Sequence, residues 1–158
     1  MKQTKEKKEA LAISACHEVQ IHYKRPLFDT GRKIDSSETA NTILRDFIDI
    51  NRIDHKEFFW VILLTNANQV IGISEIGAGC TKGVTVNTKE VCQLALLTNA
   101  ASVVVAHNHP SGKLNPSVCD HKMTAKIKDI LNIIDVILLD HLIITSEAFT
   151  SFADNKWM

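Results

Sequence analysis

The sequence predicts a single α/β domain built on one largely covered sheet, and three observations carry that reading. Segments with helical apolar spacing alternate with short β-rich runs along the chain. Two of those runs, "FFWVILL" and "SVVVA", are apolar without alternation, as strands covered on both faces are. No repeat, low-complexity tract or internal linker interrupts the 158 residues, a length that suits one substantial core.

Taken in order, residues 1–34 read as a leading arm, and residues 35–158 as the domain proper. "MKQTKEKKEA" is a mixed-charge run suited to a solvated helix, and "HEVQIHYKR" alternates Val19, Ile21 and Tyr23 as an edge strand does. "DTGRKIDSSE" is a loop, after which Asp35 and Glu38 have the spacing of a capping box. Ala40, Ile43, Leu44 and Phe47 then repeat at helical intervals. In "EFFWVILLTNANQVIGISEI" two β-rich runs flank a hairpin turn at residues 65–68. "GAGCTKG" is a glycine-punctuated loop and "VTVN" a short strand, with Thr88 placed to cap a helix carrying Val91, Leu94 and Ala95 on one face. A buried strand follows at "SVVVA", then a helix opening at Ser117 and running to about Ile133, then one or two strands in "DVILLDHLIIT".

Composition excludes some classes. Hydrophobic residues make up 45% and charged residues 23%, and 18 basic side chains balance 18 acidic ones. The balance gives no footprint for nucleic acid, although a local basic patch is compatible with it. No run is long and apolar enough for a membrane span, and the lysine-rich start lacks a signal peptide's apolar core. Cys16, Cys80, Cys92 and Cys119 form no C-x-x-C pair and read as reduced thiols, so the expected address is cytoplasmic. Oligomeric state is not legible.

The chemistry concentrates in "AHNHPSGKLNPSVCD". His107 and His109 are two apart, so on an extended backbone both point to one face, and Pro110 biases His109 toward that conformation. Seven residues later Ser117 is placed as a helix N-cap, with Asp120 at the third helical position. The positive helix end there favours the ionised carboxylate. Two imidazoles and a carboxylate on rigid elements make a three-ligand site with one position open for water, the pattern of catalytic zinc. Zinc lowers the pKa of bound water to about 7. Glu75, at the end of a strand expected beside the histidine strand, is the candidate general base, and the Ser117 hydroxyl the candidate oxyanion donor. The same ligand types would serve a non-haem iron oxygenase, although a glutamate base and a serine donor suit hydrolysis better. No H-E-x-x-H helix and no deaminase H-x-E…P-C-x-x-C set is present.

The blander readings keep most of the other polar residues. "DHL", holding Asp140 and His141, sits inside an apolar strand and suits a structural or ligand-orienting role better than ligation. His17, His22, His55 and His121 read as surface or packing residues, Cys119 as an ordinary helix residue and Lys113 as a solvated lysine.

Glu75, the H-N-H at 107–109, seven residues, Ser117, two residues and Asp120 resemble the JAMM (MPN+/JAB) metalloprotease signature. "LTNAASVVVAHNHPSG", "PSVCD" and "LLDHLII" are similar, more narrowly, to the bacterial RadC family within that group, over residues 35–152. The resemblance implies a mixed-sheet α/β/α sandwich of the JAMM/MPN type, related to the cytidine-deaminase fold. It implies one zinc per chain on His107, His109 and Asp120, Glu75 as general base and Ser117 as oxyanion donor. The implied activity is hydrolysis of a peptide, isopeptide or other amide bond in a peptide or protein substrate. Asn108 stands where the broader signature has Ser or Thr, which fits RadC-type sequences and departs from ubiquitin-directed ones. The helix-hairpin-helix region of longer RadC proteins has no G-x-G counterpart in residues 1–34. The alternative is a DNA-repair-associated or non-catalytic interaction module that keeps a metal site.

Overall fold

The computed structural model describes residues 32–78 and 86–158, with the Ala78 side chain left out. The expected arm strand, Cys16 and Cys80, His17 and His22, and most of the loop after Gly77 lie outside the described residues. The elements run α1 (Ser37–Phe47), β1 (Phe58–Leu64), β2 (Val70–Ala78), α2 (Thr88–Leu97), β3 (Ser102–Asn108), α3 (Val118–Ile133), β4 (Ile137–Ile144) and β5 (Phe149–Ser151), with a 3-10 turn at Ile50–Arg52.

The five strands form one mixed sheet in the order β2-β1-β3-β4-β5. Among the described strands only β3 and β4 are parallel, joined through α3 as a parallel pair requires. Strands β1 and β3 are buried at every position because both faces of the sheet are covered. On one face Trp60, Ile62, Val104 and Leu142 pack with Ile43 and Leu44 of α1. On the other, Val61, Val103 and Val105 pack with Val91 of α2 and with Ile127 and Leu131 of α3. This is the covered sheet that the apolar runs predict, in the α/β/α arrangement that the resemblance implies.

Local chemistry explains most boundaries. The hairpin turn forms as expected: Asn68 takes a φ of 57°, and the Thr65 hydroxyl accepts from the backbone of Ala67 and Gln69. Two expected caps move by one residue. Ser36, not Asp35, caps α1, because its hydroxyl accepts from Thr39 N at 3.2 Å while Asp35 takes the Thr39 hydroxyl at 2.8 Å. Asn87, not Thr88, is the N-cap of α2, and Thr88 is its first helical residue. Of the expected strand at 84–87, the first two residues are outside the described set and Val86 and Asn87 carry no strand. The "DVILLDHLIIT" segment is one strand, β4. No helix among the described residues is long and apolar enough to cross a membrane.

Candidate metal centre

The carboxyl end of β3, beside the amino end of α3, is where an α/β sheet leaves space for a site. His107 is the next-to-last residue of β3, paired with Phe59 of β1 and Ile143 of β4, and is 2% exposed. His109 is held just beyond the strand by its N–H to Ile144 O at 3.0 Å. The loop then turns back through Gly112, whose φ of 75° favours a residue without Cβ, and Gly112 N donates to His109 O. That turn brings the Lys113 carbonyl to within 2.7 Å of His109 Nδ1, while the Lys113 side chain stays exposed.

Helix α3 opens on a complete capping box. Ser117 Oγ accepts from Asp120 N at 3.2 Å, and Ser117 N donates to Asp120 Oδ2 at 2.6 Å. The box leaves Asp120 Oδ1 turned toward the histidines. His107 Nε2 and His109 Nε2 are 2.9 Å apart, with Asp120 oxygens 3.3 Å from the first and 3.6 Å from the second. One ligand atom from each of the three residues lies within 4.8 Å of the others.

The donor set fits a cation. The Lys113 carbonyl can only accept, so His109 carries a proton on Nδ1 and a neutral ring presents a lone pair at Nε2. His107 presents its own Nε2 to the same point, beside a carboxylate. Acceptors that converge this closely repel one another unless positive charge lies between them. Tetrahedral zinc with bonds of about 2.0–2.1 Å separates its nitrogen ligands by about 3.3 Å, close to the spacings here. Without metal, a proton supplies the charge. The Asp120 contact, opposed by burial and aided by the Lys113 carbonyl and the charges of Asp120 and Glu57, raises the His109 pKa. Burial works against the Asp120 carboxylate, but His107, His109 and Ser117 outweigh it and hold its pKa well below the usual carboxylate range.

Glu75 is not at this centre, which corrects the sequence-based expectation. Strand β1 lies between β2 and β3, so Glu75 is not on a neighbour of the histidine strand. It pairs with Trp60, which belongs to the opposite face of the sheet from Phe59 and His107. There Glu75 accepts from Trp60 Nε1 at 3.3 Å and pairs with Arg52 at 3.3 Å, exposed to solvent. The carboxylate on the correct face is Glu57, which sequence reasoning misses. Phe59 opposes His107, so the same register carried two residues back sets Glu57 opposite His109. Its charge acts on the His109 imidazole, yet it stands outside the three-residue ligand group. The signal in sequence was an antiparallel neighbour: the start of such a strand meets the end of its partner.

Asn108, between the histidines, points to the other face and is fully buried. Its Oδ1 accepts from Phe58 N at 2.6 Å, and its Nδ2 donates to Ile53 O and, at 2.8 Å, to Lys56 O. These bonds flank Glu57 on both sides and fasten its segment to β3. A Ser or Thr hydroxyl has one proton and could not reproduce them all. Among the other singled-out residues, Ser117 is exposed at the helix start, His55 is exposed, and His121 packs its ring 5.2 Å from Phe152. Cys92 and Cys119 are free thiols. Asp140 is structural: burial raises its pKa, opposed by donors from Ser151, Ala153 and His141 that tie the end of β5 to β4.

A covered mixed sheet whose central strand ends in a His-His-Asp group able to hold a metal ion is the architecture of a JAB-type domain. The chain belongs to the RadC-like JAB domain family, whose model matches residues 34–157. It is 43% identical over 148 residues to a UPF0758 protein of Flavobacterium johnsoniae, a match covering 92% of this chain and 63% of that one. It is 35% identical over 149 residues to a UPF0758 protein of Xylella fastidiosa, covering 94% and 65%. A UPF0758 protein of Vibrio cholerae is 42% identical over 103 residues, covering 65% of each chain. The chain thus spans just under two thirds of the length of these relatives.

Proposed function

We propose that the chain is a zinc-dependent hydrolase acting on a peptide, isopeptide or other amide bond, with His107, His109 and Asp120 as metal ligands. The single observation that carries this reading is the 2.9 Å approach of two imidazole Nε2 atoms beside a capped carboxylate. A zinc ion in that place would polarise the substrate carbonyl and acidify a water in its open position. Glu57, set opposite His109 by the β1–β3 register and outside the ligand group, is suited to take a proton and return it to the leaving amine. Ser117, exposed at the mouth of the site, accepts from Asp120 N through a lone pair, so its own proton is free for a developing oxyanion. The family and the open donor set support a catalytic site over a closed structural one, which would take four protein ligands. The substrate is taken to be a peptide or protein, in the cytoplasm.

Metal analysis together with a panel of fluorogenic peptide and isopeptide substrates tests the reading. About one zinc per chain and chelator-sensitive hydrolysis are expected. A purified chain that takes up no divalent metal, or that hydrolyses equally well after chelation, overturns it.

A further inference from the structure

Behind His107 the described residues hold a buried polar chain that ligation alone does not use. His107 Nδ1 lies 2.8 Å from His141 Nε2, and His141 Nδ1 lies 2.6 Å from Thr124 Oγ1. Thr124 Oγ1 donates in turn to the Asp120 carbonyl at 2.7 Å. His141 and Thr124 are 0% and 2% exposed, and the His141 ring stacks on Phe152 with centroids 4.7 Å apart. The ring is fully buried and its two nitrogens meet a neutral imidazole and a hydroxyl rather than a carboxylate, so it is neutral and carries one proton.

We propose that Thr124 and His141 are positioning residues that fix the tautomer of His107, and so keep its Nε2 lone pair directed at the metal position. The direction of the chain is set at its far end. A backbone carbonyl only accepts, so the single Thr124 hydroxyl proton goes to Asp120 O and the oxygen is left as an acceptor. His141 then donates from Nδ1 to Thr124, which leaves its Nε2 bare. His107 donates from Nδ1 to that nitrogen, which leaves its own Nε2 bare at the centre of the ligand group. Each step uses one proton, and every buried polar atom along it has a partner.

The chain begins and ends on one residue. Asp120 supplies a ligand carboxylate from its side chain and the terminal acceptor from its backbone. Helix α3 and strands β3 and β4 are thereby joined through a single closed circuit around the metal position. Partners of this kind, which hold the other nitrogen of a ligating imidazole, affect metal affinity by about 10–100-fold. The inference rests on the zinc reading for its purpose, but the proton assignment stands on the hydrogen-bond geometry.

The test is Thr124→Val, which keeps the branched shape and removes the hydroxyl, compared with Thr124→Ser. Zinc affinity by competition with a chelating dye should fall about 10–100-fold in Thr124→Val and return to within about threefold in Thr124→Ser. Imidazole nitrogen–proton correlation spectra of the full chain, with and without zinc, should show His141 and His107 both protonated on Nδ1. Wild-type zinc affinity in Thr124→Val, or a proton on His141 Nε2 in the unaltered chain, overturns the relay. If the unaltered chain takes up no zinc, the zinc reading fails by itself. The imidazole spectra then still decide the relay, for or against.

Discussion

At one end of the sheet the two faces carry the same kinds of residue and arrange them differently. On the face packed by α2 and α3, His107, His109 and Asp120 converge in a mostly buried group with Glu57 nearby. On the α1 face, Glu75 meets Arg52 and the Trp60 indole in partial exposure to solvent. Both faces hold a carboxylate beside cationic or N–H partners. The difference is enclosure. In the first, burial and crowding shield most of the lone pairs from solvent, so a cation or proton must balance them. In the second, water screens the Arg52–Glu75 pair, whose worth is at most about 1 kcal/mol. Residue type at a strand end therefore does not identify a reactive carboxylate; the face does.

The sharpest test of that contrast is His107→Ala. It removes a ligand and the head of the relay, and bound zinc should fall from about one per chain to none detectable by metal analysis. Glu57→Gln comes next: zinc should be retained while hydrolysis falls about 10²–10⁴-fold, the range for loss of a general acid–base group. Zinc loss in that variant would make Glu57 a ligand and redraw the site. Asn108→Ala should destabilise the chain by about 3 kcal/mol or more in chemical denaturation, since it strands one buried N–H and two carbonyls at about 1–3 kcal/mol each.

The pH dependence separates the faces further. His109 has a raised pKa in the metal-free chain, so its stabilising contribution is full below the unfolded value near 6.5 and is lost as pH rises through the folded one. Asp120 is the reverse, stabilising above its unfolded value near 3.8 and losing that contribution as pH falls through its depressed one. Because zinc must displace the His109 proton, its measured affinity should begin to weaken at a pH above 6.5 as the solution is acidified. Calorimetric titrations across that range check the sign. The smallest effect belongs to Glu75→Gln, for which hydrolysis should stay within about twofold and stability within about 1 kcal/mol of the unaltered chain. A large loss of hydrolysis there would reverse the assignment of the two carboxylates.

The sequence by itself determined whatever depends on a few neighbouring residues. Continuous apolar runs specified β1 and β3 as covered strands, because a strand buried on both faces has no place for polar side chains. The two-residue spacing of His107 and His109 and the three-residue spacing of Ser117 and Asp120 specified a common face and a capping box, both local geometries. The helix start at Ser36 was missed by one position because Asp35 and Ser36 compete for the same cap, and only the resolved backbone decides between two adjacent oxygens. Tertiary structure alone decided which glutamate attends the site, since that depends on β1 being inserted between β2 and β3 and on a bulge after Phe59 that shifts the β2 register. It alone joined Thr124 and His141 to His107, across 17 and 34 residues of chain. Strand order and cross-helix contacts are set by how whole apolar faces pack together, and no window of local spacing contains that information.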